Sequence, residues 1–150
     1  MSETLSVCIP CDNDGFVLLR CPKCGEYFKL LPSEFQDEAV ESISCPQCGL
    51  VSDSYITQDV INLAMAKTTN MVNDMLNDAF KDLERSTRNS MIKIKTTKAK
   101  KVDEIPIRSS IEAFETINFE CCGRSAKLRS ILAYCGAYCS YCGGLQDGNN

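Results

Sequence analysis

Apolar and polar positions follow a helical period over residues 57–87, the longest periodic segment of the chain. Apolar side chains recur there at spacings of three and four residues, which is typical of an amphipathic α-helix. Thr57 is a suitable N-cap, and Asp59 in the first turn favours the positive end of the helix dipole. The apolar positions are Val60, Ile61, Ala64, Met65, Met71, Val72, Met75, Leu76, Ala79, Phe80 and Leu83.

A helix of this length spans about 45 Å, which is more than one small module covers. Its apolar face either packs within the chain or packs on another chain. Three of its apolar residues are Met65, Met71 and Met75, and flexible Met side chains suit adaptable binding surfaces. The sequence leaves both interpretations open, and the second predicts a protein partner or a homodimer through this Met-bearing helix.

Short apolar runs outside the helix predict strands. Residues 16–19 follow the turn-forming Asp-Asn-Asp-Gly sequence of residues 12–15, and residues 27–30 and 117–119 form similar runs. No apolar run approaches the ~20 residues of a membrane span. We therefore expect short strands around one long helix, and no membrane partner.

Two Cys-x-x-Cys hooks lie in the first third of the chain, at Cys21 and Cys24 and at Cys45 and Cys48. Each hook has Pro after the first Cys and Gly after the second. Gly permits a positive φ, which lets backbone amides turn toward the sulfurs. Four sulfurs complete the tetrahedral shell of a closed structural Zn²⁺ site. The spacing therefore predicts a zinc site, with disulfides or redox-active thiols as the alternative.

Residues 19–28 and 43–49 resemble the two knuckles of a zinc ribbon, a group that includes rubredoxin-like and transcription-factor-type ribbons. The resemblance covers about residues 16–56, and it implies a small β fold with one bound zinc. It implies no single activity, because ribbons serve nucleic-acid binding, protein docking and structural support.

The C-terminal part repeats this pattern in a degenerate form. Residues 122–128 and 24–30 both read Cys-Gly-x-x-x-Lys-Leu, and residues 139–143 keep the Cys-x-x-Cys-Gly frame of residues 45–49. Residues 111–145 therefore resemble a second, shortened ribbon.

The second copy supplies three matched ligands, Cys122, Cys139 and Cys142. The fourth ligand is either Cys121 or Cys135. Cys121 is adjacent to Cys122, and adjacent side chains tend to diverge in a strand. Cys135 lies four residues before Cys139. We favour Cys121 and keep Cys135 as the alternative, so the sequence predicts two Zn²⁺ ions per chain.

The 150 residues include eleven Cys and no His. Without His, the chain cannot form a Ser-His-Asp triad, a Cys-His pair or a His-ligated metal site. The odd number of Cys and the absence of an apolar leader after Met1 predict a cytoplasmic protein with reduced thiols. Cys8 and Cys11 have hook spacing without a following Gly, which leaves them as rival ligands or as buried side chains.

The net charge of −4 conceals a basic segment. Residues 85–108 contain 8 basic and 2 acidic residues, although the chain as a whole is acidic. Such a segment could contact a polyanion such as a nucleic acid. It could equally be a solvated linker or an edge strand protected by Lys. The candidate nucleic-acid-binding residues are Lys93, Lys95, Lys98, Lys100 and Lys101.

These features predict a small α+β fold, in which two zinc-ribbon-like β modules are joined by a long amphipathic helix and a basic linker. The expected parts are an N-terminal ribbon, the helix, the linker or edge strand, and the degenerate ribbon, at residues 1–56, 57–90, 91–110 and 111–150.

Three functions are compatible with this organisation. The first is a non-catalytic zinc-binding adaptor for a protein or a nucleic acid. The second is a thiol-based redox sensor or enzyme that uses a Cys outside the metal sites, and the third is a structural subunit of a larger complex. We expect the first and no enzyme, because a catalytic zinc keeps an open coordination position that four Cys would close.

Overall fold

A computed structural model describes residues 4–109 and 113–148 of the protein. The predicted C-terminal ribbon begins at residue 111, so its first two residues lie outside the described part, as do its last two. The described residues form two compact units. The cysteine-rich unit contains residues 9–58 and the described part of 107–150, and the helical unit contains residues 4–8 and 59–106.

The described residues contain six short strands and three helices. In chain order these elements are β1 (Val17–Arg20), β2 (Tyr27–Leu30), α1 (Pro32–Phe35), α2 (Gln58–Thr87), β3 (Phe114–Asn118), β4 (Ser125–Arg129), α3 (Ser130–Cys135), β5 (Ala137–Tyr138) and β6 (Leu145–Gln146). The small α+β composition that the sequence predicts is therefore confirmed.

A four-stranded antiparallel sheet with the order β1-β2-β4-β3 organises the cysteine-rich unit. Strands β1 and β2 form one hairpin, and β3 and β4 form the other. The two hairpins pair through β2 and β4, where Lys29 lies opposite Lys127 and Leu30 lies opposite Ala126. The two predicted modules thus share one sheet, although the helix and the basic segment separate them along the chain.

One hydrophobic core lies within this unit and receives side chains from both hairpins. Phe28 and Leu30 of β2 and Leu128 of β4 are fully buried, together with Phe119 just after β3. The cysteine groups described below lie beside this core.

The helical unit is built on α2, which confirms the predicted long helix and ends at Thr87. Within this helix only Val60, Ala66 and Asn70 are buried. No helix in residues 4–109 or 113–148 has both the length and the apolar character that crossing a bilayer would require.

Residues 96–104, which we call the return segment, are hydrogen-bonded to polar side chains of α2. The Asn70 side chain accepts from the Val102 N–H at 2.7 Å and donates to the Val102 carbonyl at 2.9 Å. Asn77 accepts from the Ala99 N–H at 2.9 Å. Farther along, Glu84 accepts from the backbone N–H of Thr96 at 2.8 Å. The basic segment is thus tied to the helix by its backbone and forms no strand among the described residues.

Candidate metal centres

The first cysteine group contains the two hooks that the sequence predicts. The Sγ atoms of its four residues all lie within 4.8 Å of one another. The Cys21 and Cys48 sulfurs are 3.8 Å apart, and the Cys24 and Cys45 sulfurs are 3.5 Å apart. These separations are too long for a disulfide, whose sulfurs are about 2.05 Å apart, so the four residues are free thiols.

The separations fit a shared metal ion. Two sulfurs bound at about 2.3 Å to a tetrahedral ion lie about 3.8 Å from each other. The two separations of 3.8 Å and 3.5 Å in the first group are close to this value. Four thiol ligands can therefore surround one ion and leave no position for water.

Backbone hydrogen bonds fold each hook into the same turn. In the first hook the Cys21 N–H donates to the Glu26 carbonyl at 2.8 Å, and the Gly25 N–H donates to the Cys21 carbonyl at 2.9 Å. The hook at Cys45 repeats both bonds with Leu50 and Gly49. Gly25 has φ +80°, a left-handed conformation that disfavours residues with a Cβ. The glycines that follow the hooks are therefore part of the geometry that brings the sulfurs together.

The second cysteine group consists of Cys121, Cys122, Cys139 and Cys142, whose Sγ atoms also lie within 4.8 Å of one another. The sulfurs of Cys122 and Cys139 are 3.7 Å apart, as a tetrahedral site requires. Cys135, the alternative fourth ligand, is exposed and is not among the four sulfurs brought together. Each group could hold one metal ion, which is compatible with two ions per chain.

Phe119 occupies the position in the second group that Cys21 occupies in the first. The Phe119 N–H donates to the Arg124 carbonyl at 2.8 Å, and the Gly123 N–H donates to the Phe119 carbonyl at 2.7 Å. These are the two bonds that define the Cys21 turn. The fourth sulfur of the group comes instead from Cys121, two residues farther along the turn, while the ring of Phe119 fills the core.

This substitution was missed in the sequence, although one signal was present. Phe119 precedes Cys122 by three residues, as Cys21 precedes Cys24. The matching frame therefore pointed to Phe119 as the replaced ligand. A buried aromatic residue at a ligand position also explains why two adjacent cysteines occur in this copy alone.

The second hooks of the two groups are joined by backbone hydrogen bonds. The Ser44 N–H donates to the Ser140 carbonyl, and the Tyr138 N–H donates to the Pro46 carbonyl, both at 2.8 Å. A Cβ on Gly49 would lie 3.0 Å from the Tyr138 ring, so Gly at this position allows the hooks to approach closely. Loss of either metal should therefore disturb both groups.

Burial and backbone amides act in opposite directions on the thiols of the first group. Burial disfavours ionisation of Cys21, but the N–H groups of Cys24 and Lys23 outweigh it and lower the Cys21 pKa to about 7. Burial dominates at Cys45 and raises its pKa well above the usual range. A bound cation supplies the positive charge that holds such thiols as thiolates, which couples metal binding to folding.

An ion-pair cluster around the buried Lys29 joins the turn before β1 to both hairpins. The Asp12 carboxylate accepts from Lys29 Nζ and from Lys127 Nζ, each at 2.9 Å. The other carboxylate oxygen of Asp12 accepts from the backbone N–H groups of Asp14 and Phe16, each at 3.0 Å, and thereby holds the turn at residues 12–15. Burial opposes the charge, but the two ammonium groups and the amides lower the pKa of Asp12 well below its ordinary value.

The five candidate lysines lie on or just before the return segment, and their side chains are exposed. Lys101 forms an ion pair with Asp74 of α2 at 3.1 Å. The backbone carbonyl of Lys100 accepts from the side chain of Asn73 at 3.0 Å. The structure thus places Lys93, Lys95, Lys98, Lys100 and Lys101 on one stretch of chain, next to acidic residues of the helix. Cys8 and Cys11 are exposed and lie outside both cysteine groups.

Replacement of Cys121 with Ser is expected to remove the metal of the second group, because a hydroxyl is a poor substitute for the fourth thiolate. Cys135→Ser is the matched control and should retain all the metal of the wild-type chain. Metal content after gel filtration in the presence of a mild chelator distinguishes the variants. If Cys135→Ser loses the metal and Cys121→Ser keeps it, the ligand assignment is wrong.

Comparison of the chain with protein-family models, with curated proteins and with solved structures finds no match. The assignment of the two sites therefore rests on the chain's own geometry. That geometry, two groups of four thiols on paired turns, is consistent with the zinc-ribbon resemblance of the sequence.

Proposed function

We propose that the chain is a non-catalytic, zinc-stabilised interaction module that docks on another protein. One observation carries the proposal: each cysteine group brings four sulfurs within 4.8 Å of one another, close enough to share one metal ion. Zn²⁺ is the ion that most often occupies closed four-thiolate sites in folded domains. A closed shell has no position for substrate, so the metal serves the fold.

The lack of His in the chain supports a non-catalytic role. A redox or enzymatic function would use a thiol outside the metal groups, and Cys8, Cys11 and Cys135 are exposed candidates. A nucleophilic Cys usually needs an adjacent base, most often His. We therefore place thiol chemistry second to docking.

The docking surface that we propose is the exposed side of α2. Seven large apolar side chains, the exposed stripe, are between 37% and 64% accessible on this helix. The exposed stripe consists of Ile61, Met65, Val72, Met75, Leu76, Phe80 and Leu83. Apolar surface of this extent on a folded chain usually marks an interaction site.

Nucleic-acid binding through the return segment is the less favoured alternative. Lys101 is already paired with Asp74, and Glu84 lies beside Thr96. Acidic side chains next to the lysines would repel a phosphate backbone and weaken its binding. A structural subunit of a larger complex would use the same stripe, and only the identity of the partner separates it from an adaptor.

Native mass spectrometry of the purified protein, with and without a chelator, tests the proposal. We expect two zinc ions per chain and loss of the native charge-state distribution when both are removed, because metal binding and folding are coupled. A chain that carries no zinc, or that remains compact after zinc removal, would contradict the proposed role of the metal.

A further inference from the structure

We propose that the partner of the exposed stripe is a second copy of this chain, with the two α2 helices packed antiparallel about Val72. This inference rests on the proposed docking function and names its partner. It is carried by the arrangement of residues on the helix surface, by their accessible area and by the sizes of the residues that would meet.

The exposed stripe and the polar contacts of α2 occupy different sides of the helix. Successive residues are rotated by about 100°, so all seven stripe residues lie within about 80° of Val72. Asn70, Asn77 and Glu84, which hold the return segment, lie about 120–160° from Val72 on the same scale. The return segment therefore uses the polar side and leaves the apolar side accessible.

No charged residue of α2 lies within about 60° of Val72 on the helix surface. The residues in this range that do not belong to the stripe are small or uncharged, and they include Thr68, Thr69 and Ala79. A face that is apolar and uncharged for about six turns is suited to pack against another helix.

The accessible area is close to what a stable dimer needs. An aromatic side chain such as that of Phe80 buries roughly 150–250 Å² when fully covered, and the other side chains of the stripe are of comparable or slightly smaller size. With exposures between 37% and 64%, the seven residues offer on the order of 500–800 Å² per chain. Two copies would bury about 1,000–1,600 Å², and stable specific interfaces bury about 1,200–2,000 Å².

The sizes of the residues favour an antiparallel pair. With Val72 of both copies on the two-fold axis, each residue meets the one equally distant from Val72 in the opposite direction. Ala79 then faces Met65, Thr68 faces Leu76, and Thr69 faces Met75, so each small residue meets a large one. Ile61 faces Leu83 at both ends of the contact.

A parallel pair would lack this complementarity. Ala79 would face Ala79 and Thr68 would face Thr68, which would leave gaps beside paired Met75 side chains. Gaps in an interface lose dispersion contacts. The antiparallel arrangement also places opposite ends of the two helix dipoles together.

Sedimentation equilibrium of the zinc-loaded full chain at about 50 µM tests the inference. The expected mass is twice 16.6 kDa. Ile61→Lys and Leu83→Glu should each weaken the dimer at least about tenfold, because each places a charge in the apolar contact. The double variant should restore most of the affinity, since each new Lys then faces a new Glu of the other copy. Asp78→Lys, about 120° from Val72, is the control and should remain dimeric.

Several results would overturn the inference. A monomeric wild-type chain with two zinc ions would exclude the second copy, while docking on a different protein would stand. A dimer that is insensitive to both single substitutions would use another surface. A double variant that stays as weak as the single variants would exclude the antiparallel register, because a parallel pair juxtaposes like charges. A wild-type chain without zinc would count against the proposed function itself, so the two failures are distinguishable.

Discussion

Replacement of Cys45 or of Cys139 with Ser is expected to unfold the cysteine-rich unit. Each thiol is fully buried and belongs to one cysteine group. Structural zinc in small domains contributes about 10–16 kcal/mol of apparent binding free energy at neutral pH. That is as large as the whole stability of a typical domain, about 5–15 kcal/mol. Loss of one ligand should therefore remove both the metal and the cooperative fold.

Thermal unfolding followed by circular dichroism, together with zinc content, measures this effect. Cys11→Ser is the matched control, because Cys11 is exposed and lies outside both groups. It should bind as much zinc as the wild-type chain and unfold at nearly the same temperature. Cooperative unfolding at the wild-type temperature in Cys45→Ser would show that the metal does not stabilise the fold.

The backbone hydrogen bonds between the second hooks of the two groups predict a second effect of the Cys139→Ser substitution. Ser44 and Tyr138 donate to the opposite hook, so each metal group supports the turn of the other. Cys139→Ser should therefore also weaken zinc binding by the first group. Independent retention of the first metal would mean that the two turns fold separately.

Replacement of Asp12 with Asn is expected to destabilise the cysteine-rich unit by about 3–5 kcal/mol, because it leaves the buried ammonium group of Lys29 without its counter-charge, while Lys127 keeps its ion pair with Asp14. The Lys29 side chain is only 4% exposed, and those of Asp12 and Lys127 are each 12% exposed. Urea unfolding of the zinc-loaded protein measures the change. Asp37→Asn is the control, since Asp37 is 47% exposed in its ion pair with Arg124, and the loss of an exposed pair should change the free energy of unfolding much less.

The pH dependence of this penalty follows from the direction of the Asp12 pKa shift. The folded-state pKa is lowered from its ordinary value of 3.8, so the carboxylate stabilises the fold at pH values above that value. The stabilisation is lost only as the pH falls below about 4, where protonation of thiolates also releases metal. The Asp12→Asn penalty should thus be constant between about pH 6 and 8. A penalty that changes within this range would mean that another group titrates with the cluster.

The sequence contained enough to predict the local elements and most members of the two cysteine groups. The three- and four-residue spacing of apolar positions predicted α2, and the hook spacing predicted the first cysteine group. These features depend on residues that are close in the chain. The same reasoning predicted Cys122, Cys139 and Cys142, because the second copy retains the cysteine spacing of the first.

The pairing of β2 with β4 could not be predicted from local patterns. It joins residues about a hundred positions apart, and the apolar pattern of one strand does not specify which other strand it pairs with. The two lysines that the pairing brings together share the carboxylate of Asp12, and Lys127 also pairs with Asp14. Lys29 and Lys127 appeared in the sequence only as equivalent positions of a repeat.

The hydrogen bonds between the return segment and α2 could not be predicted from the sequence either. Lysines at residues 93–101 predicted a linker, an edge strand or a polyanion site. The polar residues that bind this segment, Asn70 and Asn77, lie on the helix and resemble ordinary solvent-facing residues. Side-chain bonds to a distant backbone leave no periodic pattern, so the structure was needed to find them.

X-ray absorption spectroscopy at the zinc edge of the purified chain tests the central claim most directly. The account predicts two zinc ions per chain, each with four sulfur neighbours at about 2.3 Å and no oxygen or nitrogen in the first shell. An average of three sulfurs with a lighter atom, or a single zinc per chain, would contradict two closed thiolate sites.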